Sequence, residues 1–180
     1  MFTKTTTPTP EMFEASRTRT QEHIARVAAN LLLIAKTSIY AEELRLRALE
    51  HDSSKYGSDE LIPYVWLNEY HCCRRSGVAF EYPEGMEEQV KLAIRHHVTS
   101  NRHHSEYHSD PNDMTPVDLI EMVCDWTAMS QEFGQDGGSA RGRAELMIGH
   151  RFQFNEEQAR FIYDVISELD KHGECPVAGG

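Results

Sequence analysis

Residues 51 and 52 are a histidine followed directly by an aspartate, so an imidazole and a carboxylate stand one residue apart. That pair of donors suits zinc or a first-row transition metal. Successive residues on a helix diverge by about 100°, so His51 and Asp52 reach one ion only from the inner edge of a helix. A His-Asp dipeptide also arises often by chance, as a solvated helix end. Two other residues bear on the choice. His23 lies upstream in a long helical stretch, and Asp125 lies downstream between Cys124 and Trp126. A carboxylate among such neighbours is costly to bury without a partner, and a cation supplies one. The alternative is an Asp125 turned to solvent while its neighbours face the core.

Five of the ten histidines, His96, His97, His103, His104 and His108, fall close together. His97 and His104 are seven apart, as are His96 and His103. On a continuous helix that spacing puts one pair on a shared face, where it completes a second metal site. The other reading is a set of exposed or hydrogen-bonding histidines. His97 and His104 are taken as the inward pair; the register itself does not decide between neighbours. With two ions, Asp52 is the natural bridge, because a carboxylate has two oxygens to share. Lys55, one turn beyond the dipeptide, either meets a substrate phosphate or is a solvated helix residue. Arg95 and Arg102 flank the histidines and either bind phosphate through paired N–H groups or serve the surface. Glu60 could orient a ligand or a water, although the helix dipole alone explains an acid near a helix start. Glu121, one turn before Asp125, is placed to orient ligands from behind.

These residues need helices to position them. Apolar spacings of three and four predict helices over about 11–36 and 40–50, one starting near 58–60, and one over about 84–97 or beyond. Thr115-Pro116-Val117-Asp118 has the form of a helix start, with a capping threonine and a proline in the first helical position. That helix carries Asp125 and ends before Gly134. Shorter and longer helices follow over about 140–148 and from Asn155 to about Lys171. No strand-like alternation bounded by hairpin turns is present. The expected fold is all-α: six or seven helices in one domain over residues 11–172, with tails at 1–10 and 173–180.

Composition narrows the partners. The chain has 180 residues and a net charge of −11 with histidines neutral. Such a surface repels a nucleic-acid backbone, which argues against duplex binding. A small phosphorylated ligand remains compatible, because a bound divalent ion dominates its local field. No apolar run approaches the roughly 20 residues that span a bilayer, and no secretory signal is visible. Cys72, Cys73, Cys124 and Cys175 lack metal-binding spacing and read as reduced thiols of a cytoplasmic protein. The outer faces of the first and last helices leave room for a homodimer.

The order His23, His51-Asp52, Asp125, all in helical stretches, resembles the HD superfamily of metal-dependent phosphohydrolases. His51 to Lys55, HDSSK, resembles the HD-x-x-K form of its two-metal branches, which include cyclic-dinucleotide phosphodiesterases and mixed-valence di-iron oxygenases. Those branches insert two histidines before the last Asp, usually with a wider gap than separates His97 from His104. HDSSKYGSDELIPY, AIRHHVTSNRHHSEYH and MTPVDLIEMVCDWTAM also resemble a family of unknown function from bacteria and phages, over roughly residues 20–170. The resemblance implies the helical fold and the metal site, and it names no substrate.

The function expected is hydrolysis of a nucleotide or other small phosphate ester by metal-activated water. His23, His51, Asp52 and Asp125 hold one ion of manganese, iron, cobalt, nickel or zinc. His97 and His104 hold a second, and Lys55 with Arg95 or Arg102 neutralises the phosphate. Asp52 and Lys55 are the expected catalytic pair. The alternatives are a di-iron oxygenase and a non-catalytic, metal-containing nucleotide-binding protein. The setting implied is a bacterial host or a phage-infected cell.

Overall fold

The computed structural model describes residues 7–172. The proposed tail residues 1–6 and 173–180 lie outside that range, while Pro10 already opens the first helix. The described chain is all-α, with seven α-helices and short 3-10 turns. They are α1 (Pro10–Ile34), α2 (Ala41–Glu50), α3 (Leu61–Arg75), α4 (Met86–Ser100), α5 (Pro116–Phe133), α6 (Arg141–Met147) and α7 (Glu156–Asp170). Among the described residues no helix is long and apolar enough to cross a membrane. Cys72, Cys73 and Cys124 are free thiols.

The contacts gather in two compact units, each made of separate stretches of chain. The first takes the residues up to Glu22 and Asp52–Asn101, hence the start of α1, α3 and α4. The second takes His23–His51 and the chain from Arg102 onward, hence the rest of α1, α2 and α5 to α7.

In the second unit α5 is the central element. Twelve of its eighteen residues are buried, and a helix covered on nearly every side must satisfy whatever polar groups it carries. Thr115 and Asp118 form a reciprocal capping box, Pro116 follows the cap, and Gly134 ends the helix at φ 62°. Val27 and Leu31 of α1, Leu44 of α2, and Ile162 and Ile166 of α7 join Ile120 and Val123 of α5 in the core. Asn155 caps α7 by accepting from the Gln158 amide at 2.9 Å.

The first unit has a smaller core, in which Trp66 of α3 packs with Met86 and Val90 of α4. Pro63 sits within the first turn of α3, where its missing N–H costs no helical bond. Two sequence expectations are corrected. α4 does not continue through the histidines: it stops at Ser100, and Asn101 turns extended while its amide caps the His97 carbonyl at 2.8 Å. His103 and His104 therefore sit in irregular chain, and the seven-residue spacing does not place them on a face shared with His96 and His97. Nor does a helix carry the His51-Asp52 pair, since α2 stops at Glu50.

Candidate metal centre

The backbone breaks at the dipeptide. His51 leaves the helix with φ −49° and ψ 127°, and Asp52 takes the left-handed region at φ 55° and ψ 21°. Aspartate is among the few non-glycine residues that enter this region readily. The break, rather than a helix edge, aims the two side chains. Both residues are buried.

In the second unit the site is built around α5. Glu121 accepts from Nδ1 of His51 at 2.8 Å and from Nδ1 of His103 at 3.3 Å. An ionised carboxylate only accepts, so each ring donates its Nδ1–H and keeps its lone pair on Nε2. Arg47 binds the other oxygen of Glu121 at 2.6 Å and Asp118 at 2.8 Å. Arg102 also binds Asp118, at 2.9 and 3.1 Å, so both arginines brace the α5 carboxylates. One turn past Glu121, the Asp125 carboxylate lies 3.1 Å from Nε2 of His23. That separation fits a hydrogen bond. It also fits two neighbouring ligands of one ion with metal–ligand bonds of about 2.0–2.1 Å.

His51, His103 and Asp125 each offer one donor atom, and the three atoms lie within 4.8 Å of one another. The His51 and His103 ring centroids are 4.5 Å apart, and those of His51 and His23 are 5.7 Å apart. Burial pushes the Glu121 carboxyl up, but hydrogen bonds from His103 and His51 outweigh it and hold the group down at about 2. Burial acts likewise on Asp125, and the His23 hydrogen bond with nearby imidazoles holds it well below the usual carboxylate range. A buried and a half-buried carboxylate, both ionised among imidazoles, make a site that attracts a cation.

The first unit repeats the arrangement. Glu60, fully buried at the start of α3, accepts from Nδ1 of His96 at 2.8 Å and Nδ1 of His97 at 3.0 Å. Burial raises the Glu60 carboxyl, and the bonds from His97 and His96 more than offset it, leaving a net lowering. His97 is buried and His96 exposed, which settles which of the two faces inward. Nε2 of His97 lies 3.4 Å from Oδ1 of Asp52. Lys55 binds the other oxygen of Asp52 at 2.6 Å.

Both units hold residues named from the sequence. His23, His51 and Asp125 come together in the second unit, and Asp52, Lys55 and His97 in the first. His104 lies beside His103, ring centroids 4.2 Å apart. His103, which the spacing did not single out, is the one grouped with His51 and Asp125. Arg95 is exposed on α4, and Arg102 is committed to Asp118. Of the two readings open for Glu60, an acid at a helix start or a group that orients others, its bonds to His96 and His97 fit the second.

The profile of a family of unknown function, DUF5662, matches residues 12–168. The chain belongs to this family. The DUF5662 match takes in both units and every candidate residue from His23 to Asp125. No curated protein and no solved structure matches the chain.

Proposed function

We propose that this DUF5662 protein is an HD-type, metal-dependent phosphohydrolase acting on a nucleotide or another small phosphate ester. One observation carries the reading: Glu121 grips His51 and His103 by Nδ1, which leaves the lone pairs on Nε2, and Asp125 offers an oxygen to the same cluster. Those three residues, with His23 against Asp125, would hold a divalent transition metal. Asp52, which follows His51 in the chain, is the further ligand that the HDSSK resemblance implies. When bound, the ion polarises a phosphoryl oxygen and brings the pKa of its water toward neutrality.

The remaining work falls to the protein's own groups. Glu121 fixes the two imidazoles in one tautomer, and Arg47 holds Glu121 from the far side, so neither ring can swing. Lys55, bound to Asp52, brings a cation that can meet a phosphate oxygen.

Elemental analysis of untagged protein purified without chelator tests the reading, with Asp125→Asn beside the wild type. Manganese, cobalt, nickel or zinc at one or two ions per chain, lost in the variant, supports it. Phosphate release from a nucleotide panel follows. Two irons per chain with oxygen consumption turns the reading to the di-iron oxygenase. No metal in the wild type after reconstitution sinks it.

A further inference from the structure

A cavity of about 410 Å³ opens in the first unit between the first turns of α1 and the start of α3. Phe13, Tyr56, Leu61 and Tyr64 line it, with Thr20 and Lys55 also in the lining. The volume lies within the range of about 300–1,000 Å³ that small-molecule sites occupy. Tyr56 and Leu61 leave 48% and 40% of their surface to water, apolar area that an occupant would cover. Glu14 and Arg17, both in the lining, pair with each other at 2.8 Å, whereas Lys55 lies 5.5 Å from the Tyr64 ring centre and binds Asp52.

Aromatic walls favour a flat ring, which they meet stacked or edge-on. A lysine beside that ring favours an anion attached to it. We propose that this cavity receives the aromatic ring of a phosphorylated substrate, such as a nucleotide base, with Lys55 toward the phosphate. The substrate class rests on the phosphohydrolase reading; the cavity and its lining do not. A linear alkyl phosphate would gain the apolar walls but not the stacking, and a sugar phosphate would gain neither.

The test is binding to chelator-treated full-length protein, which removes any dependence on metal. Calorimetry compares 1-naphthyl phosphate, hexyl phosphate and ribose 5-phosphate. The naphthyl ester should bind at least tenfold more tightly than the other two. Tyr64→Leu should remove most of that preference, and Lys55→Met should remove the advantage of 1-naphthyl phosphate over 1-naphthol. Thr20→Trp fills the cavity from the α1 side and should abolish naphthyl binding even if Tyr64→Leu fails to fold. Equal binding of the three phosphates, tighter binding of the hexyl ester, or naphthyl binding unchanged by Thr20→Trp overturns the proposal. Naphthyl binding in a protein that takes up no metal keeps the cavity assignment and removes the phosphohydrolase reading.

Discussion

His51 donates from Nδ1 to the Glu121 carboxylate at 2.8 Å, and that one bond decides which ring nitrogen can meet a metal. The glutamate is set by α5, the histidine by the end of α2, and Arg47 ties the glutamate down. Glu121→Gln keeps the shape and removes the charge that fixes the tautomer. Metal affinity should fall about 10–100-fold, read by competition with a chelating dye. An unchanged affinity would show that Glu121 only packs.

Asp118 should make stability fall in acid. Its burial raises the carboxyl, but bonds from Arg102, from the Thr115 amide and hydroxyl and from Arg47 outweigh this, and the folded group lies below the ordinary 3.8. A depressed folded value gives stability that is present above pH 3.8 and lost as pH falls toward the folded value. Thermal melts of chelator-treated wild type and Asp118→Asn from pH 6 to 2.5 should therefore converge at the acid end. Parallel curves would rule out the linkage.

Glu60→Gln should destabilise the protein by about 1–3 kcal/mol, because an amide cannot accept from both His96 and His97 through two carboxylate oxygens. Urea denaturation reads the change. The substitution is conservative in size, so a neutral result would mean that the two imidazoles find other partners.

Leu31→Ala removes a side chain with no exposure from the core of the second unit. The loss should be about 2–5 kcal/mol. His71→Ala, on a half-buried position of α3, should leave metal content unchanged and serves as the control for the histidine substitutions.

The helices were legible because their ends are written in side chains. Thr115, Pro116 and Asp118 mark the start of α5, and Asn155 marks that of α7. The site was legible where burial and residue type conflict, as at Asp125. It was not legible where the chain leaves the helical period. Nothing in the composition of His51-Asp52 announces a left-handed turn. The end of α4 depends on Asn101 folding back on its own helix, a contact that no spacing rule contains. Once that helix stops, helical spacing no longer predicts whether His103 or His104 faces inward. The two units leave no boundary in the sequence because the chain enters each of them more than once.

The φ of 55° at Asp52 filters substitution twice over. Asparagine and glycine accept the backbone but surrender the charge. Glutamate keeps the charge but fits the left-handed region poorly and carries its oxygens one methylene further out. No other coded residue satisfies both demands. Mutational drift at this position thus has no intermediate step that preserves turn and carboxylate together. An Asp52→Glu variant should be no better a replacement than Asp52→Asn, although by charge alone it is the closer relative.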